Sequence, residues 1–299
     1  MKCPHFFLTF ILIYLLLRNL AYSNHRESLV NERVMNERLS QKYDFIITPH
    51  KANYLIPFSY NHTPHQTPFE TIEGQEHPNS IENIEARFQI SIKVPLWNNI
   101  FWNDGHLFFA FTSQSWWQLY NKVISSPFRE TDYEPEFFLL FHNDWEIGHF
   151  TNSLWNIGIS HQSNGQTGNL SRSWNRIYAH MLFDGGNLVF IPKVWWRIPQ
   201  KTIQVQNIIY GDDNPEIGKY IGHFELLTIY GFKRHRFSML LRNNLRKNNR
   251  GAIKLTWSYP IYQNLRIYTE YFNGYGDSLL EYRTHTQVFG IGISLNDLL

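Results

Sequence analysis

Three side chains within fifteen residues have the types that acyl transfer needs: His161, Ser163 and Asn175. A serine hydroxyl becomes a useful nucleophile when a neighbouring base takes its proton. His161 stands two residues before Ser163, so the two share a face if the segment is a strand, whose side chains alternate between faces. The base then needs a third group to fix its tautomer and orientation. Asn175 can accept the imidazole N–H through its amide oxygen. Being neutral, it orients the ring but stabilises an imidazolium less than a carboxylate would. A His-x-Ser pair alone says little in a chain with 14 histidines, so the elements around it decide its weight.

Two strand-like segments carry the trio. In the first, Trp155, Ile157, Ile159, His161 and Ser163 share a face. In the second, Ser171, Ser173, Asn175, Ile177, Ala179, Met181 and Phe183 share one face, and Arg172, Trp174, Arg176, Tyr178 and His180 the other. A hairpin joining them places Asn175 beside His161. The trio then lies on the apolar face, opposite the arginines. That is odd for a water-soluble enzyme and reasonable if the apolar face meets lipid.

The chain begins Met1-Lys2, runs apolar from Phe6 to Leu17 and reaches Ala21-Tyr22-Ser23, the pattern of a secretory signal peptide cleaved after Ser23. The run is short for a spanning helix. The only cysteine, Cys3, lies within it, leaving the remainder without a disulfide or a thiolate metal site. Lys2 and Arg18 also lie there; without them the 27 basic residues become 25, against 25 acidic ones. A net charge of zero offers no argument for nucleic acid as a partner. No later run of eighteen apolar residues occurs, so a membrane location requires a closed barrel. We divide the chain into signal (1–23), polar leader outside the barrel (24–45, with a short helix near Leu29–Leu39) and barrel (46–299).

The spacing predicts twelve strands: Tyr54–Phe58, Ala86–Val94, Leu107–Trp117, Phe137–Phe141, Leu154–Ser163, Ser171–Phe183, Leu188–Ile198, Tyr220–Tyr230, Phe237–Leu241, Ala252–Tyr259, Leu265–Tyr271 and Gln287–Leu295. Long connections (59–85, 118–134, 164–170, 199–218, 242–250, 274–284) alternate with shorter ones (97–105, 142–152, 184–187, 231–236, 260–264). That alternation is the outer-membrane barrel pattern, an all-β, twelve-stranded antiparallel transmembrane barrel. An even count places both termini at the periplasmic side and the long loops outside. Trp97, Trp102, Trp116, Trp117, Trp195 and Trp196 stand near strand ends, where an aromatic girdle belongs. A secreted soluble β-sandwich is the competing fold.

Other candidates carry less. The basic, Asn-rich loop Arg242–Arg250 could meet lipopolysaccharide phosphates, although a solvated loop explains it more simply. His142 and His149 flank Asp144 and Glu146 in what reads as a solvated periplasmic turn. Inward Arg172, Arg176, Arg266 and Glu270 suit a polar barrel interior.

The block His161-x-Ser163-Asn164-Gly165 with Ser171-Arg172-Ser173-Trp174-Asn175-Arg176 closely resembles the outer-membrane phospholipase A family of Gram-negative bacteria. Ser115-Trp116-Trp117-Gln118-Leu119, Ser125 to Thr131, Tyr133-Glu134-Pro135, Asp212-Asp213-Asn214-Pro215, Gly274 to Leu279 and Leu295 to Leu298 resemble it as well, so the similarity runs from about Tyr54 to the end. The resemblance implies a twelve-stranded barrel in the outer membrane and calcium-dependent hydrolysis of phospholipid acyl esters, activated by homodimerisation. It implies a triad of His161 (base), Ser163 (nucleophile) and Asn175 (orienting the base), with Gly165 at the oxyanion. It also implies one calcium per active site at the dimer interface, held by Ser171, the carbonyl of Gln166 and Ser125 of the partner subunit. Two positions depart from the family pattern. Ser113 stands where a glutamine bonds across the dimer, with Gln114 on the opposite face. Gly168 stands where an acidic residue can serve a second calcium site, for which Asp213 matches the other ligand. The competing class of function is a catalytically silent, porin-like barrel.

Overall fold

The computed structural model describes residues 28–30, 46–64, 71–72, 75–76, 81–102, 104–123, 126–201, 203–205 and 208–296. Twelve long strands form one antiparallel sheet: β1 (Tyr54–Asn61), β2 (Ile84–Trp97), β3 (His106–Trp117), β4 (Phe128–Ile147), β5 (Phe150–Ser163), β6 (Ser173–Asp184), β7 (Leu188–Ile198), β8 (Phe224–Phe232), β9 (His235–Asn243), β10 (Gly251–Tyr262), β11 (Leu265–Tyr275) and β12 (His285–Ser294). Each strand pairs with the next, and β12 pairs back onto β1 from Val288↔Asn61 to Ser294↔Tyr54, which closes the barrel. Among the described residues no helix is long and apolar enough to cross a membrane.

Alternation sorts the side chains. On β12, Phe289, Ile291 and Ile293 are exposed while Val288 and Gly290 between them are buried. On β5, Ile157 and Ile159 are exposed and Asn156, Gly158 and Ser160 are buried. Exposed apolar residues outside and buried polar ones inside is the reverse of a soluble barrel, and it suits lipid. Pro57 has no N–H to give the ladder, and the pairing of β1 shifts register around it on both sides.

Most strands run longer than their sequence pattern predicts; β7 matches it, and β6 and β8 are shorter. β4 differs most. It starts at Phe128 and ends at Ile147, so Glu130, Asp132, Glu134 and Glu136 are strand residues facing inward rather than loop residues. The eighth strand begins at Phe224, because Ile217–Lys219 forms a 3-10 turn whose Ile217, with Ile221, is buried beneath the outer loops. The girdle needs a second correction. Trp116 is 0 % exposed and Trp195 5 %, both inside the barrel, whereas Trp97, Trp102 and Trp196 are exposed. In the adjacent pairs Trp116-Trp117 and Trp195-Trp196, alternation sends one member inward. Of the leader, Ser28–Val30 are described. Val30 packs against Leu182, Val189 and Ile229 inside the short-turn end of the barrel, so these residues lie inside it. The rest of the expected helix lies outside the described residues.

The lumen is filled by ion pairs. Lys51 reaches Glu134 at 2.6 Å and Glu136 at 3.3 Å, and Arg176 meets Glu134 at 2.5 Å. Arg87 bridges Asp277 (2.9 Å) and Glu270 (3.4 Å). Arg129, with no exposed side-chain surface, bridges Glu85 and Glu281, both at 2.8 Å. Of the expected interior charges, Arg176 and Glu270 belong to this network. Arg266 instead donates to Ser258 Oγ near the short-turn end (2.9 Å), and Arg172 donates to the Ser171 carbonyl in the outer loop (2.6 Å).

Asp277 and Glu281 come from the loop 276–284, which folds into the long-loop mouth of the barrel and buries Leu279, Leu280 and Tyr282. Removing one member of a buried pair leaves a charge without its partner, which costs about 3–5 kcal/mol. We expect Arg129→Ala to lower stability on that scale, because Glu85 and Glu281 lose their shared cation. Denaturant unfolding in detergent micelles, followed by tryptophan fluorescence, measures it. A change below 1 kcal/mol, on the scale of an exposed pair, would mean the bridge is not what holds this loop inside.

Candidate active site

β5 and β6 set the trio. Their register pairs His161 with Asn175 and Ser163 with Ser173. His161 Nδ1 and Asn175 Oδ1 are 2.8 Å apart, so the ring nitrogen donates and the amide oxygen accepts. This leaves Nε2 as the basic nitrogen, on the strand face that also carries Ser163. Among the described residues no hydrogen bond joins His161 to Ser163. Catalytic bonds of this kind are often long without substrate and shorten in the complex. His161 is exposed and Ser163 half-exposed, in line with the exposed Ile157 and Ile159 on the outer barrel surface.

The strand beneath the trio is irregular. The β4–β5 ladder runs from Tyr133↔Ser163 to Glu136↔Ser160 with no pair between. Pro135 falls in that gap. It lacks an N–H, so the ladder cannot be continuous at His161.

The loop after Ser163 is built around Asn164, which is 3 % exposed. Its Nδ2 donates to the Leu170 carbonyl (2.8 Å), and its Oδ1 accepts from the Arg172 N–H (2.9 Å) and the Gln166 N–H (3.3 Å). Glu130 Oε1 accepts from Asn164 Nδ2 at 3.4 Å and from the Leu280 N–H at 2.7 Å. One buried carboxylate therefore ties the loop of the trio to the loop that fills the lumen. Neither Asn164 nor Glu130 stood out as a positioning residue in the sequence. Gly165 has φ +66°, a left-handed conformation that favours glycine, and a Cβ there would meet little more than Tyr133 at 3.4 Å. The conformation, not the space, requires glycine.

The expected calcium ligands are partly gathered. Ser171 Oγ donates to Asp213 Oδ2 at 2.7 Å, and Ser173 Oγ donates to the same oxygen at 3.3 Å. The sequence placed Ser171 and Asp213 in two separate sites; the structure brings them into contact. Asp213 is held over the β6 start by its neighbours. Asn214, 0 % exposed, accepts from the Ser173 N–H at 3.1 Å, and Asp212 accepts from Arg197. Gln166 and Gly168 are exposed on the same loop. Ser125 lies outside the described residues. The donors are carboxylate and hydroxyl oxygens, hard ligands that fit calcium and not a metal preferring nitrogen or sulfur.

The outward position of Ser113 is as expected. It pairs with Ile90 and with Tyr133, itself paired with Ser163, so it lies two strands from the trio on the same face. Gln114 faces inward and bonds the Tyr54 hydroxyl at 3.1 Å. In the basic loop, Arg242 is turned inward to the Gly276 carbonyl (2.8 Å) and Arg250 lies over the Tyr220 ring (3.9 Å), leaving Arg246 and Lys247 exposed.

The chain as a whole is similar to known proteins. The family described as Phospholipase A1 matches residues 30–295. A phospholipase A1 from Klebsiella pneumoniae is 36 % identical over 262 residues, covering 87 % of this chain and 86 % of its own. The Escherichia coli K12 protein of that name is 36 % identical over 260 residues, 86 % of this chain and 85 % of its own. Among solved structures, the Salmonella typhi outer membrane phospholipase, described as a dimer with bound calcium, superposes with a TM-score of 0.79 at 33 % identity, covering 88 % of this chain and 97 % of its own. An Escherichia coli form with an asparagine replaced by alanine, described as an active-site mutant, gives 0.76 at 33 %, covering 86 % and 94 %. With a family match spanning nearly the whole barrel and relatives above a third identical along most of their length, this chain belongs to the phospholipase A1 family.

Proposed function

We propose that this chain is a calcium-dependent outer-membrane phospholipase. In this reading Ser163, His161 and Asn175 on its lipid-facing surface hydrolyse acyl esters of glycerophospholipids, at either acyl position and in lysophospholipids. Family membership supplies the reaction class, a lipid ester hydrolase. The observation that carries the site assignment is the 2.8 Å bond from His161 Nδ1 to Asn175 Oδ1 on an exposed apolar face. A base oriented toward lipid has no use in a passive barrel.

The residues divide the work as follows. Asn175 holds the imidazole with Nε2 free. Nε2 takes the proton of the Ser163 hydroxyl as Oγ attacks the acyl carbonyl. The carbonyl oxygen gathers negative charge, which the Gly165 N–H stabilises by donating to it. His161 then returns the proton to the departing glycerol oxygen, leaving an acyl ester on Ser163, and the same base activates the water that cleaves it. The bilayer itself brings the ester bond alongside β5 and β6.

Asp213, Ser171 and the Gln166 carbonyl would hold calcium, and the ion would supply positive charge to stabilise the oxyanion. With the long loops outward, the trio sits at the outer leaflet, where ordinary lipid asymmetry offers little phospholipid. A second copy of the chain supplies Ser125 and buries the apolar face around Ser113. The neighbouring structure described as a calcium-bound dimer supports both partners.

Ser163→Ala should abolish fatty-acid release from mixed micelles while the barrel keeps its heat-modifiable gel mobility. Release near the wild-type rate would remove Ser163 as nucleophile, and no release by the wild type with calcium or with chelator would favour the silent barrel. Asn175→Ala should be milder, since the imidazole loses its orientation and keeps its basicity; a folded, dimeric variant as inactive as Ser163→Ala would refute a purely orienting role.

Ser171→Ala should raise the calcium concentration needed for half-maximal activity, and Asp213→Asn should do the same. Titrations that superpose on the wild type would place the ion elsewhere.

Ser113 reaches less far across an interface than glutamine. Ser113→Gln should tighten the dimer, and Ser113→Ala should loosen it by about 1 kcal/mol or less, the scale of hydrogen bonds within membranes. Sedimentation in detergent with and without calcium reads both, and full dissociation of Ser113→Ala would show that serine already makes the contact.

A further inference from the structure

At the opposite end of the barrel the chain gathers another set of ligands. The β2–β3 turn carries Asp104 and His106 to the end of β4, where His142 stands. His142 Nδ1 lies 3.2 Å from Asp104 Oδ1, and His106 Nε2 lies 3.7 Å from the same oxygen. The three ligand atoms fall within 4.8 Å of one another, and the two imidazoles meet edge to face with centroids 5.2 Å apart. In a tetrahedral zinc site with bonds near 2.0–2.1 Å, neighbouring ligand atoms stand about 3.4 Å apart. Two of the distances here already match that spacing within a few tenths of an ångström. The third pair, His106 Nε2 and His142 Nδ1, lies within 4.8 Å.

The tautomers suit a cation. His106 Nδ1 lies 3.1 Å from Asn98 Oδ1, an acceptor, so Nδ1 carries the proton. In the neutral form of this ring Nε2 carries the lone pair, facing the carboxylate oxygen of Asp104 at 3.7 Å, whereas in the imidazolium both nitrogens donate. A lone pair and a carboxylate oxygen facing each other repel unless a proton or a metal ion sits between them. Asn98 stands to His106 as outer groups stand to metal-bound histidines, fixing the tautomer and orientation of the ring.

The scaffold is rigid. Phe101 and Asp104 exchange backbone hydrogen bonds of 2.8 and 2.9 Å across the turn, and the Ile100 N–H donates to the Gly105 carbonyl at 2.9 Å. Gly105 has φ +77°, and a Cβ on it would stand 2.6 Å from the Phe101 ring. That ring stacks on Phe141, which stacks on Trp155 at 4.3 Å. The His142 N–H donates to the Asp104 carboxylate, 3.3 Å from each oxygen. Ligands held this way need little reorganisation to bind.

We propose that Asp104, His106 and His142 form a site for a divalent transition-metal ion of the zinc type, with a water molecule as the fourth ligand. Two imidazoles and one carboxylate select zinc, nickel, cobalt or copper over calcium, which takes oxygen ligands. The site is distinct from the trio. His142 is nine residues along β4 from Tyr133, the strand partner of Ser163; at strand rise that is about 30 Å. The ion would tie Asp104 of the β2–β3 turn to His142 of β4, just beyond His106↔Leu140, the last ladder pair of β3 with β4. Neither the metal nor its effect depends on the hydrolytic reading.

The test uses the refolded barrel without an affinity tag, in detergent micelles, treated with chelator and dialysed. Zinc titrated into it by calorimetry should bind at one ion per chain. His142→Ala and Asp104→Asn should lose that binding, and Asn98→Ala should weaken it about tenfold, as outer-shell losses do. Cobalt in place of zinc should give the visible absorption of a four-coordinate ion, absent from His142→Ala. Zinc should raise the unfolding temperature of the wild type and not that of His142→Ala. Calcium-dependent fatty-acid release should be unchanged in His142→Ala, which also shows that the variant is folded. No zinc uptake by the wild type would mean that the cluster is an ion pair only. Uptake unchanged in the His106→Ala, His142→Ala double variant would place the ion on other histidines. Either result overturns the proposal.

Discussion

Closure of the backbone ladder is the constraint on which everything else in this protein depends. In lipid an unpaired N–H or C=O costs several kcal/mol, so a sheet that crosses a bilayer must have no edge. β12 meets β1 to satisfy this, with the one awkward residue, Pro57, absorbed in a register shift. Once the sheet is closed, alternation leaves each side chain a choice of two solvents. His161, Ser163 and Asn175 fall on the lipid side because they keep step with Ile157, Ile159 and Ile177. The proposed site and the fold therefore share one pattern, and a one-residue slip would turn the trio into the lumen.

The lumen carries the opposite burden. A barrel of twelve strands is too wide for a purely apolar core to be compatible with its polar inner face, so charge fills it. Such pairs contribute less to net stability than their distances suggest, because both ions are desolvated. Their value lies in location. Glu130, Asp277 and Glu281 anchor the loop 276–284, and through Asn164 the same Glu130 shapes the turn that presents Gly165. The surface that faces lipid is thus braced from inside by polar contacts that no lipid reaches.

Much of this was legible in the sequence, for a physical reason. Where one strand face is apolar and the other is not, as in Trp155–Ile159 or Phe289–Ile293, a period of two marks both the strand and its outward side. The pattern failed where the inward residues were charged. Glu130, Asp132, Glu134 and Glu136 alternate as regularly as any apolar set, yet charge at that density resembles a loop, and the pattern marks only Phe137–Phe141 of the 20 residues of β4. The tryptophan pairs failed for a related reason, since residue type suggested an interface while parity sent Trp116 and Trp195 inside. At the site, the trio could be read from spacing and resemblance, because its members share one hairpin. The contact of Ser171 with Asp213 joins residues 42 positions apart, and the grouping of Asp104 with His142 depends on a left-handed turn at Gly105. Neither leaves a periodic trace.

The filled interior has a consequence for the membrane that houses this chain. From one mouth to the other, the lumen is crossed by the apolar cluster around Val30, by the pairs of Lys51 and Arg176 with Glu134, and by Arg129 with Glu85 and Glu281 beneath the inturned loop. A solute entering would have to displace buried ions from their partners at each layer. Among the described residues these layers make the inside of the barrel a scaffold that holds the loops, and not an open passage for sugars or salts.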